Sequence, residues 1–108
     1  MPSTTLSRGN ALSTFYIQPS ITPAAVASYT SAVQTFALPG LQTTDIVSCV
    51  GAVPVQTAGI ISGECDCYTT GVLSIQFVNA TNASATPIAG AYVFQIVRAD
   101  GPLPVTAV

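Results

Sequence analysis

The stretch Val72-Leu-Ser-Ile-Gln-Phe-Val78 decides the fold class. Leu73, Ile75 and Phe77 fall on one face, and Val72, Ser74, Gln76 and Val78 on the other. A period of two is what a β-strand needs when one face lies on a core. Ala91-Tyr-Val-Phe-Gln-Ile-Val-Arg98 repeats the pattern, with Tyr92, Phe94 and Ile96 facing one way. Two apolar rows of this kind cannot both be covered within a single sheet. They are satisfied when two sheets pack face to face.

Working outward, helical periodicity is nearly absent, and Gly or Pro recurs every several residues. Leu12–Gln18 reads as a first strand, ended by Pro19-Ser-Ile-Thr-Pro23. Ala24–Ser28 is the one place for a helical turn, with Thr22 as N-cap and Pro23 at the first helical position. The following Tyr29–Leu38 reads as extended. Pro39-Gly40 marks a turn. Thr44–Val50 is a strand entered through a polar cluster, in which Asp45 is expected to bond backbone N–H groups two residues on. Val53–Thr57 contains Pro54 and reads as edge or irregular. Gly59–Ser62 and Glu64–Tyr68 read as separate short segments, the second placing Cys65 and Cys67 on one face. Thr69-Thr-Gly71 is a turn, and Asn79–Gly90 a long loop. The expectation is an all-β, jelly-roll-like sandwich of seven or eight short strands over residues 12–99. It carries an N-terminal arm at 1–11 and a C-terminal tail at 100–108.

Charge is the unusual feature of the composition. The 108 residues carry 24 Ser and Thr but only six charges: Arg8, Arg98, Asp45, Glu64, Asp66 and Asp100. Ordinary domains are about a quarter charged. A net charge of −2 with two scattered arginines cannot neutralise a phosphate backbone, so nucleic acid is not an expected partner. No run of about 18 apolar residues occurs, and the alternations are too short for a small membrane barrel, so neither membrane reading applies. Met1–Leu12 has no basic segment followed by an apolar one, and no export is expected. Three cysteines are an odd number and suggest free thiols rather than a disulfide framework. So low a charge density predicts a surface that other chains cover.

Catalytic patterns are missing. With no His, the usual general base and every Cys–His pair are absent. Glu64 and Asp66 would share one strand face, which reads as solvated rather than as a converging acid pair. Cys65-Asp-Cys67 lacks the spacing of a redox motif. No phosphate-cradling loop, metal-ligand set or cofactor site is recognisable. The expectation is a protein that is not an enzyme, with no cofactor, no metal and no small-molecule substrate. Arg8 and Arg98, the only basic side chains, are the candidate interaction residues, each suited to a partner carboxylate.

From Thr35 to Arg98 the chain resembles a group of small β-rich virion proteins of tailed bacteriophages. The resemblance is carried by Phe36, Leu38, Gly40, Leu41, Asp45 and Val47, by Leu73, Ile75, Phe77, Asn79 and Thr81, and by Pro87, Gly90, Tyr92, Val97 and Arg98. Between Ser48 and Thr70 the pattern departs, with Cys49, Cys65 and Cys67 where Val or Ala would be expected. The resemblance implies a capsid cement or decoration protein, bound to the major capsid protein as a homotrimer on the outer surface of the virion and made in the host bacterial cytoplasm. The alternative it leaves open is a receptor-binding or structural module of a head or tail fibre, for which Tyr16, Tyr29, Tyr68 and Tyr92 are the candidate glycan contacts.

Overall fold

The structure is a computed structural model that describes residues 11–99 and, beyond them, 101, 103, 105 and 106. Seven strands follow in order: β1 (Ala11–Ile17), β2 (Ser20–Ile21), β3 (Ser31–Ala37), β4 (Asp45–Ala52), β5 (Ile60–Thr69), β6 (Val72–Asn79) and β7 (Gly90–Ala99). They form two antiparallel sheets, a two-sheet β-sandwich. In one, β7 is central, β4 lies on one side, and β1 and β2 share the other. In the second, β6 is central between β3 and β5.

The two strands with the clearest alternation are the two central ones. Leu73, Ile75 and Phe77 of β6 meet Tyr92, Phe94 and Ile96 of β7, and all six are fully buried. Each such side chain contributes about 1.5–3 kcal/mol by leaving water. The Tyr92 ring stands edge-on to Phe77, with centroids 6.3 Å apart, and stacks against Phe94 at 6.4 Å. Its hydroxyl donates to Ile88 O at 2.7 Å and accepts from Gln56 Nε2 at 2.9 Å. A buried tyrosine needs such partners, because an unpaired phenol inside a core is costly. β4 and β5 run close together and close one side of the sandwich.

Several local expectations give way to tertiary contacts. Ala24–Ser28 forms no helix. Val26 exchanges backbone bonds with Ala85 at 2.8 and 3.1 Å and buries its side chain, while the Gln34 amide takes both Ala24 N–H and Ala24 O. Those bonds satisfy the backbone as well as a helical turn would, and they add burial. Within Pro19–Pro23, Ser20–Ile21 pairs with β7 as a short strand and buries Ile21. Gly59–Ser62 and Glu64–Tyr68 are one strand, β5, interrupted by register shifts between Ser62 and Cys65 and between Asp66 and Thr69. Gly63 allows this continuity: a Cβ there would lie 3.0 Å from Gln76 O of β6. The Thr69–Val72 turn forms as read, with Gly71 at φ 78°. Of the N-terminal arm, 1–11, only Ala11 is described, and it opens β1; the rest lies outside the described residues. The described positions of the 100–108 tail form no strand.

Gly59 is a point of close approach. It takes φ 83°, and a Cβ would collide with the Thr81 methyl. Its carbonyl accepts from Ala80 N at 2.9 Å, tying the entry of β5 to the exit of β6. Gly59→Ala is therefore expected to cost about 1–3 kcal/mol, read as a lower midpoint in thermal unfolding. An unchanged midpoint would show that the loop relaxes without strain.

Candidate functional site

The outer faces of the two sheets differ. On the β1–β7–β4 sheet, the residues pointing away from the core are Thr14 and Tyr16 of β1, Val93, Gln95 and Val97 of β7, and Ile46 and Ser48 of β4. Val50, at the β4 register shift, extends this row. None is charged. Tyr16, Ile46 and Val50 are exposed, and Leu12 beside the β1 register shift is exposed as well. The other sheet also exposes Val33 and Ile61, but its β5 strand turns Glu64, Asp66 and Tyr68 outward, and Tyr68 Oη donates to Asp66 Oδ2 at 2.8 Å. Glu64 and Asp66 thus line one strand on a solvated face, as their spacing suggested. Among the described residues, one face of the sandwich carries two acids, and the other carries no charge and exposes Tyr16, Ile46 and Val50.

Arg98 has its carboxylate within the chain. The register of β4 on β7 sets Asp45 opposite Arg98. Arg98 Nε donates to Asp45 Oδ1 at 2.9 Å and Nη2 to Asp45 Oδ2 at 2.8 Å, a two-pronged pair. Nη2 also donates to Gly40 O at 3.1 Å, and the guanidinium lies 5.3 Å from the centre of the Phe15 ring. The Asp45 side chain is fully buried, while a quarter of the Arg98 side chain is exposed. Asp45 also accepts Gln42 N–H at 2.9 Å, three residues back rather than two residues on, because its carboxylate turns inward to the guanidinium. Arg98 therefore serves first to lock the Leu38–Leu41 turn onto the β7 end. Beside it opens a cleft of about 220 Å³, walled by Phe15, Ile17, Leu38, Leu41 and Ile96. Arg8, the other candidate, lies outside the described residues.

The pair carries a pH signature. The hydrogen bond from Arg98 holds the Asp45 carboxyl below its ordinary value of 3.8, against the opposing effect of burial and with help from Gln42 N–H. A lowered acid pKa in the folded chain stabilises it above the unfolded value and ceases to do so as pH falls through the folded one. Stability from this pair is thus complete well above pH 3.8 and disappears as pH falls below it. Arg98→Ala is expected to lower the unfolding midpoint by roughly 10 °C at pH 7, because it leaves a buried carboxylate without its counter-charge. The gap to the wild type narrows below pH 4. Equal losses at pH 7 and pH 3 would assign the effect to lost packing over Phe15.

The cysteines form the third cluster. Cys65 and Cys67 fill a core face as expected, both buried. Cys67 Sγ donates to Thr69 O at 3.1 Å. Cys49, half-buried on the inner side of β4, meets Cys65 of β5 across the closed side of the sandwich. The neighbouring Cys65 thiol, and after it the nearby Gly51 N–H and Ser62 hydroxyl, bring the Cys49 thiol down to about 7 against the opposing effect of burial, while the Cys65 thiol itself donates to Gly63 O at 3.6 Å. The Cys65 thiol is pushed up, first by its bond to Cys49 and then by burial and the nearby Asp66 charge. No sequence spacing signals this pair, since the two residues belong to different sheets.

The candidate tyrosines do not converge. Tyr16 and Tyr68 lie on the outer faces of opposite sheets, Tyr29 sits in the loop before β3 with its N–H on Thr81 O, and Tyr92 is buried. Among the described residues, no three His, Cys, Asp or Glu side chains gather as a metal site, and no helix is long and apolar enough to cross a membrane. No family model matches the chain, and no curated protein or solved structure matches it either.

Proposed function

We propose that this protein is a cement or decoration protein of a tailed-phage head, laying the outer face of its β1–β7–β4 sheet on the major capsid protein. The observation that carries the reading is the asymmetry of the sandwich: among the described residues one sheet face is free of charge and exposes Tyr16, Ile46 and Val50, while Glu64 and Asp66 stand on the other. A shell under internal pressure gains from a rigid clip with broad contact, and such a clip needs no catalysis. The resemblance between Thr35 and Arg98 points the same way. Asp45 and Arg98, both part of that resemblance, hold the β7 end rigid. Many copies on one particle supply avidity without strong single contacts. Assembly as a homotrimer would hide the edge strands of each subunit.

Quantitative mass spectrometry of purified virions tests the reading. Hundreds of copies per particle on the outer surface are the expected result, together with a trimer by light scattering of the isolated protein. A few copies per particle, or glycan binding by the isolated protein, would favour the fibre module instead.

A further inference from the structure

Four long strands lie at the edges of the two sheets: β1 and β4 of one, β3 and β5 of the other. An edge presents unpaired N–H and C=O groups, and it is normally blunted by charge, proline or a bulge. β1 and β4 each carry a register shift, and β5 carries two together with Glu64 and Asp66. β3, Ser31-Ala-Val-Gln-Thr-Phe-Ala37, carries none of these: it has no charge and no proline, and it pairs with β6 without a shift.

The register shows which backbone groups β3 leaves open. Asn79 N donates to Thr30 O at 2.9 Å and Leu38 N to Gly71 O at 2.8 Å, and both bonds extend the pairing that sets Gln34 opposite Ile75. Inward and outward groups alternate along an antiparallel strand. Ala32, Gln34 and Phe36 therefore turn their N–H and C=O toward β6, and Ser31, Val33, Thr35 and Ala37 turn theirs to the open edge. The side chains of these four are exposed as well. Among the described residues, no backbone group pairs with that edge. The Ala24 backbone is held by the Gln34 side chain and takes none of the strand's own backbone groups.

We propose that β3 is a self-pairing edge, which joins two copies of this chain about a two-fold axis at Gln34. Set antiparallel to its own copy, the edge places Ser31 opposite the partner's Ala37 and Val33 opposite the partner's Thr35, and the axis repeats both pairs. Each of these pairs can exchange two backbone hydrogen bonds, because all four residues turn their groups outward. The outer row across the axis is then Ser, Val, Thr and Ala, small and uncharged. The two sheets become one, in the order β5–β6–β3–β3–β6–β5. Charge favours this edge over the other. Pairing through β5 would bring the Glu64 and Asp66 of two copies together, whereas pairing through β3 leaves the two β5 strands five strand spacings apart, roughly 24 Å. Screening acts over about 8 Å at physiological salt, so the acids then scarcely repel. The contact is two-fold and does not rest on the capsid reading. With a three-fold assembly through other surfaces, it joins trimers in pairs.

The test is light scattering of the full-length chain beside two double variants at exposed positions, Val33→Lys with Thr35→Lys and Val33→Lys with Thr35→Glu. The first sets like charges opposite each other across the axis, and the second sets opposite charges there. The wild type is expected to have twice the mass of the Lys–Lys variant at the same concentration, and the Lys–Glu variant to regain the wild-type mass. Register is read separately. When Val33→Cys and Thr35→Cys chains are mixed under mild oxidation, a disulfide between positions 33 and 35 should form at least about tenfold faster than either chain cross-links to itself, because only the opposed pair lies within disulfide reach. Equal masses for the wild type and both double variants, or no preference for the 33–35 cross-link, would overturn the proposal.

Discussion

Asn79→Ala is expected to lower the midpoint of thermal unfolding by roughly 10–20 °C. Asn79 ends β6 and is almost completely buried. Its amide nitrogen donates to Val26 O and Ala83 O, both at 2.9 Å, and its Oδ1 accepts from Thr81 N at 2.9 Å and from the Thr81 hydroxyl. One side chain thus joins the strand end, the segment before β3 and the β6–β7 loop. Val26 O keeps a bond from Ala85 N and Ala83 O keeps one from the Thr81 hydroxyl, so the carbonyls are not orphaned in the variant. Thr81 N–H is, and a void opens beside it. A buried donor left without a partner costs about 1–3 kcal/mol, and the void adds to that. Asn79→Asp should be no milder, since it keeps the acceptor, loses both donors and buries a charge. Thr81→Ala should cost less than either, because the backbone donor to Asn79 survives. A midpoint within 3 °C of wild type for Asn79→Ala, on the order of the shift from a weak surface contact, would show that water replaces the amide. The same burial keeps Asn79-Ala-Thr81 from serving as a glycan acceptor, although its spelling is that of a sequon.

The second large effect concerns attachment. Ile46→Glu combined with Val50→Glu is expected to leave the sandwich folded and to weaken binding to undecorated heads at least about 100-fold, or roughly 2.7 kcal/mol. Both side chains already face solvent, so the substitutions remove no core contact. Exposed positions of this kind usually change stability by about 0.5 kcal/mol or less each. Two carboxylates covered by a partner and left unpaired would cost far more. Glu64→Lys, on the opposite sheet, is the control and should bind as wild type does. Co-sedimentation with heads measures all three. Unchanged binding by the double variant, or a loss confined to Glu64→Lys, would move the docking face to the other sheet.

The two halves of what the chain encodes have different ranges. Alternation along Leu73–Phe77 and Tyr92–Ile96 is local, so it could be read without knowing any neighbour, and those strands became the centres of the two sheets. The Thr70-Gly71 turn was equally legible, because φ 78° needs glycine. Ala24–Ser28 was not, since its helical spelling competes with the Gln34 amide and the Ala85 backbone, which arrive from elsewhere in the chain. Arg98 shows the same limit at the site. Its charge was visible, but the acid that claims it lies 53 residues away, and only the pairing of β4 with β7 brings them together.

By itself, then, the sequence determined that this is a β-protein with two inward apolar rows, six charged residues and no histidine. Tertiary structure alone decided which strands share a sheet, which sheet face carries no charge among the described residues, that Asp45 neutralises Arg98, and that the β4 strand of Cys49 runs beside the β5 strand of Cys65. The reason is physical. Side-chain alternation follows from backbone geometry within a few residues, whereas strand partners are chosen by the free energy of burying one row against another across the whole chain.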